Sequence, residues 1–188
     1  MKKNIFTSGF TLVELLVTIA VIGILAAIVY GNFNPAKGLA RDDIRKADLK
    51  SLQLALALYK AQNGRYPDAC GGLAEHASST GPDWAGAGST TKSWGVSCAD
   101  YITGLVPNFI AELPRDPKEL PDVGYFYSTD SNGTSYKIVA NNSVETNTIN
   151  SFDDDFARCP QAYPASTVCK TAPPANTYAV YSSGAESW

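Results

Sequence analysis

The chain has few of the residues from which catalytic centres are commonly built. It holds one histidine, His76, and one methionine, Met1, in 188 residues. There is no Gly-x-Ser-x-Gly, no Walker motif and no His-Glu-x-x-His. One histidine leaves little from which to assemble imidazole chemistry. The expectation is a protein that is not an enzyme. No two of the four cysteines form a Cys-x-x-Cys pair, and His76 lies in a Gly/Ala/Ser-rich stretch, so zinc-ligand spacing is absent. Excess positive charge is absent too. Fifteen Lys and Arg face 18 Asp and Glu, and from Gly64 onward 7 basic residues face 14 acidic ones. So acidic a segment offers no broad face to nucleic acid.

What the chain does have is one long apolar run. Phe10 to Tyr30 is 21 residues of mostly Leu, Ile, Val and Ala without proline. As a helix it spans roughly 31 Å, enough for a bilayer core. Its one ionisable residue is Glu14. A central acid costs about 2.5–3.5 kcal/mol on insertion scales, while the twelve Leu, Ile and Val together contribute roughly −4 to −7. The run therefore inserts, and its carboxylate needs a partner. A short basic leader with Lys2 and Lys3 ends at Ser8-Gly9. An ordinary secretory signal has a shorter apolar core and a small-x-small cleavage box after it, and neither is found here.

Gly9-Phe10-Thr11-Leu12-Val13-Glu14, with the leader and the run, resembles the processing site of type IV prepilins and type II secretion pseudopilins. The resemblance implies cleavage between Gly9 and Phe10 by a prepilin peptidase on the cytoplasmic side and N-methylation of Phe10. It also implies that Glu14 pairs with the new Phe10 amine during assembly, in its own or a neighbouring subunit. The expected partners are the peptidase, other copies and related subunits in a filament, and the inner membrane before assembly. The expected location is a single-pass inner-membrane protein with its globular part outside the cytoplasm, then a filament. The contrasting expectation is a membrane-anchored exterior binding module that never polymerises.

The parts follow in order: a leader at 1–9, a transmembrane and filament-core helix at 10–30, a kink with an amphipathic helical half at 31–64, and a globular head at 65–188. Gly31 and Pro35 suggest a kinked or briefly broken helix. Beyond them Ile44, Leu49, Leu52, Leu56 and Tyr59 form an approximate helical stripe, and the charges from Arg41 to Asp48 read as a solvated face. Gly64 suits a helix C-cap. Residues 68–100 show no period and read as a long loop in which Trp84 and Trp94 serve as packing anchors. Tyr101–Ile110 reads as a short helical turn or an extended cover. Leu113-Pro114-Arg115-Asp116-Pro117 resembles the connection before the sheet in pseudopilin heads. Period-two strands follow at 124–128 and 135–140 around Asn132-Gly133, with a third at 178–182. The expected fold is α+β and type IV pilin-like: a long N-terminal helix packed on a small antiparallel sheet, with disulfide-stapled loops.

Cys70, Cys98, Cys159 and Cys169 form an even set that favours disulfides and an oxidising exterior. Of three pairings, the sequential one, Cys70–Cys98 and Cys159–Cys169, staples one long loop each. No cofactor is called for. The one metal candidate is calcium at Asp153, Asp154 and Asp155, since Ca2+ takes carboxylate oxygens and major pseudopilins carry it in a C-terminal loop. The competing reading is a solvated acidic loop.

Overall fold

A computed structural model describes residues 9–70, 85–86, 96–97, 100–118, 123–164, 166 and 169–188, of which 29–34, 85–86 and 96–97 by backbone alone. The chain forms two compact units, Met1–Lys37 and Gly38–Trp188, and one helix, α1 (Leu12–Asn63, 52 residues), contributes to both. The helix is unbroken through Pro35, which corrects the expected break. Proline forfeits one intrahelical hydrogen bond, and the helical turns continue on both sides although Gly31, Asn32 and Asn34 are poor helix formers.

In the first unit every large apolar side chain from Phe10 to Ile28 is exposed. Among the described residues no helix is long and apolar enough to cross a membrane. The last two residues of the apolar run, 29 and 30, are described by backbone alone.

In the second unit α1 buries Leu49, Leu52, Ala55 and Leu56 against the sheet. Ile44, placed on that stripe by the sequence, is instead 47% exposed. The buried stripe continues upward in steps of three and four through Arg45, Asp42 and Gly38. Gly64 ends the helix at φ 75°, and its N–H donates to the Lys60 carbonyl at 2.8 Å, as a left-handed cap should.

The sheet holds β1 (Ala85–Gly86), β2 (Val96–Ser97), β3 (Gly124–Thr129), β4 (Tyr136–Asn141) and β5 (Tyr178–Tyr181), in the order β2-β1-β3-β4-β5. β3, β4 and β5 pair antiparallel, as the alternating pattern predicts. One finding departs from that pattern. The stretch read as a loop supplies the two short strands β1 and β2, and these pair parallel. Tyr101–Ile110, read as a helical turn or an extended cover, is a run of turns that buries Tyr101, Ile102 and Leu105, with the Phe109 N–H donating to the Leu105 carbonyl at 3.0 Å. Trp84, Trp94, His76 and Cys98 lie outside the described residues.

Alternation along the strands separates two cores. Tyr125, Tyr127, Tyr136, Ile138, Ala140, Tyr178 and Val180 face α1. Phe126, Val139 and Ala179 face the other way and pack with Ala185 and Trp188. Both faces are covered, so all six residues of β3 and all six of β4 are buried. The hairpin turn packs on the helix exit: Tyr66 N–H donates to the Gly133 carbonyl at 2.7 Å. The Cys159–Cys169 disulfide forms, with Cα atoms 6.1 Å apart. Cys70 is also disulfide-bonded.

Candidate functional site

The first site is the start of α1. Gly9 and Phe10 precede the helix in non-helical conformation and are exposed. The helix opens at Leu12 rather than at Phe10, because Thr11 caps it. Thr11 Oγ1 accepts the Glu14 N–H at 3.2 Å. In return, Glu14 Oε2 accepts the Thr11 N–H at 2.9 Å and the Thr11 hydroxyl at 2.7 Å. This reciprocal pair is a capping box, and its Thr-x-x-Glu spacing stands openly in the sequence. Glu14 also sits at the positive end of the helix dipole. So the carboxylate that needs a partner has one in its own first turn. The leader residues 1–8 lie outside the described residues.

The second site is a buried ionic cluster that ties α1 to two loops of its own unit. Asp42 and Arg45 are both fully buried, which overturns the solvated reading for these two, while Asp43 is exposed as that reading expects. Arg45 reaches Asp116 with two parallel hydrogen bonds, Nε to Oδ2 at 2.7 Å and a terminal nitrogen to Oδ1 at 3.0 Å. Its other terminal nitrogen donates to Asp42 at 2.7 Å and to Glu145 at 3.1 Å. Asp42 in turn accepts the N–H groups of Glu145, Thr146 and Asn147 and the Thr146 hydroxyl, at 2.7–3.2 Å. Arg41 grips both Glu145 oxygens at 2.6 Å, and Lys118 adds a third cation at 3.2 Å.

The protonation states follow from these contacts. Burial pushes Asp42 toward the neutral form, but the backbone N–H donors of Thr146, Asn147 and Glu145 outweigh it and hold its pKa below the usual value. The Arg41 hydrogen bond, ahead of those from Lys118 and Arg45, draws Glu145 down to about 2. Asp48, one turn on, accepts the Tyr125 hydroxyl at 2.6 Å, and burial raises its pKa. No sequence reasoning assigned Arg45, Asp116 and Glu145 to one cluster. The available signal was the unbroken three-four spacing 38, 42, 45, 49, 52, 56, which puts Asp42 and Arg45 on the buried stripe.

Of the three residues offered for calcium, Asp154 is engaged in its own turn. Asp154 Oδ2 accepts the N–H groups of Asn150 and Ser151 at 2.7 and 2.9 Å, closing its own turn. Asp153 and Asp155 are exposed. The described residues include no group of three or more His, Cys, Asp or Glu side chains able to hold a metal ion.

Residues 7–30 match the family described as the prokaryotic N-terminal methylation motif. The type II secretion system core protein G of Vibrio cholerae is 32% identical over 117 residues, which are 62% of this chain and 69% of that protein. The chain belongs to the type II secretion system core protein G family. The Pseudomonas aeruginosa core protein G is 39% identical over 66 residues, 35% of this chain and 46% of that one. The chain thus spans just under half the length of that core protein G, and of the Aeromonas hydrophila one. The type IV major pilin protein PilA of Myxococcus xanthus is 40% identical over 60 residues, 32% of this chain and 27% of that protein. No solved structure matches. The methylation motif at residues 7–30 takes in the Gly9–Glu14 stretch on which the resemblance was read.

Proposed function

We propose that the chain is a non-enzymatic structural subunit of a type II secretion or type IV pilus-like filament, cut between Gly9 and Phe10 by a prepilin peptidase, methylated on Phe10, and assembled through α1. One observation carries this reading: a capped helix whose apolar side chains from Leu12 to Ile28 are all exposed, within the segment that matches the methylation motif. A surface of that kind requires an apolar environment. Two present themselves in sequence. The inner membrane receives the helix first, with the second unit on the outer side. The packed helices of neighbouring subunits receive it afterwards.

Glu14 supports the exchange between them. Its capping partners are the amide and hydroxyl of Thr11, and cleavage would create an ammonium at Phe10, one residue away. An ammonium is the stronger partner for a desolvated carboxylate. Glu14→Ala is expected to insert normally and to give little or no filament, read as the chain recovered in sheared surface filaments. Wild-type yield from that variant would contradict the role. Gly9 replaced by a bulky residue is expected to block cutting, seen as an unshifted band, since the peptidase must reach the exposed 9–10 bond.

A further inference from the structure

Lys137 stands apart from everything above. It is the second residue of β4, fully buried, on the sheet face that points away from α1. Its Nζ donates to three backbone carbonyls, those of Ala185 at 3.2 Å, Glu186 at 3.0 Å and Trp188 at 3.0 Å. The Tyr181 ring lies 4.7 Å from the same nitrogen. Three acceptors call for three N–H donors, and only the charged ammonium has three. Burial first, and then the neighbouring Arg158, draw its pKa down to about 6, with Glu186 opposing them; the three carbonyl acceptors favour the charged form.

The carbonyls belong to one segment, residues 182–188, folded back over the strands. Buried Arg158 Nε also donates to the Trp188 carbonyl, at 3.4 Å; two further ties come from serine hydroxyls. Ser135 Oγ donates to the Ser183 carbonyl at 2.8 Å, and Ser166 Oγ to the Ser187 carbonyl at 3.2 Å. Gly184 takes φ 96° where an added Cβ would meet Ser135 Oγ at 2.5 Å, so the bend depends on glycine. Beneath the segment, Trp188 and Ala185 seal the small core of Phe126, Val139 and Ala179. That core is separate from the main one.

We propose that residues 182–188 are a strap over the outer face of the sheet, clipped down by the Lys137 ammonium in a cage of three carbonyls, and that the strap opens as a unit while the β3–β4 hairpin stays folded. Lys137 is in effect a tethered cation. Its removal takes from the Ala185, Glu186 and Trp188 carbonyls the one donor that joins all three.

The test is hydrogen exchange of the full chain in detergent micelles, read by mass spectrometry over residues 182–188 and over the hairpin. Lys137→Met keeps much of the side-chain volume and removes the donors. The expected result is at least tenfold faster exchange at the Ala185 and Trp188 amides, with hairpin protection unchanged. Unchanged strap exchange, or equal acceleration of the hairpin, would overturn the proposal. Lysine labelling of the unaltered chain decides independently of how the variant folds. Lys137 should be modified at the rate at which the strap amides exchange, at least tenfold more slowly than the exposed Lys50. Labelling as fast as that of Lys50 would equally overturn it.

Discussion

Arg45 anchors α1 to two loops of the second unit. It has no exposed surface, and its guanidinium serves Asp116, Asp42 and Glu145 at once. Breaking a buried ion cluster from one side leaves the other side's charges unpaired, a loss of about 3–5 kcal/mol. Arg45→Met is therefore expected to lower the unfolding free energy of the full chain, from urea titration, by that amount, whereas Asp43→Asn, on the exposed neighbour, should leave it nearly unchanged. The acids of the cluster set a pH dependence. Glu145 and Asp42 have folded-state pKa values below their ordinary ones. Their stabilisation is complete above the unfolded pKa and is lost as pH falls through the folded one. For Glu145 that window runs from the ordinary 4.5 down to about 2. Asp48, raised mainly by burial, works in the opposite sense and favours the fold at low pH. Two lowered acids against one raised acid predict a net loss of stability on acidification below about pH 4.5, measured by urea titration across that range. Glu145→Gln should flatten the slope.

At the scale of the element, α1 shows both what the sequence made legible and what it hid. The apolar run, the Gly64 cap and the lower stripe at Leu49, Leu52 and Leu56 were all readable from residue type and spacing. The upper stripe was not, because Asp42 and Arg45 are charged and their partners stand about 70 and 100 residues away. Burial of a charge is decided by those distant partners, which local pattern cannot see. Ile44 lies off the stripe that Asp42 and Arg45 occupy and is exposed. It joins Leu39, Leu54 and Leu58 as apolar side chains of α1 left exposed in the second unit. The hairpin was legible because Asn132-Gly133 needs no distant information. Its docking on the helix exit adds a constraint. A Cβ at Gly133 would stand 2.7–2.9 Å from Arg65 and the Tyr66 carbonyl, at φ 64°. Gly133→Val should cost about 1–3 kcal/mol from strain and overpacking together, visible as a lowered melting temperature with the sheet's circular dichroism retained.

For the whole molecule, sequence foretold the α+β class, three antiparallel strands, the Cys159–Cys169 disulfide and the family. It did not foretell β1 and β2, two-residue strands embedded in a Gly- and Ser-rich stretch, because so short a run carries no period to detect. The two compact units divide the tasks. In the second, a sheet buried on both faces and a salt-clamped helix give a rigid body. In the first, an apolar helix ends in a capped start, with Glu14 held by Thr11 and the 9–10 bond exposed. The account's central claim is that this start is cut, modified and built into a filament. Mass spectrometry of the chain's N-terminus, taken from surface filaments sheared from cells and seen by electron microscopy, tests it most directly. The account predicts a chain beginning at N-methylated Phe10, present in the filament fraction. A chain that keeps its leader, or that stays in the membrane fraction and is absent from filaments, would contradict it and favour a membrane-anchored module that does not polymerise.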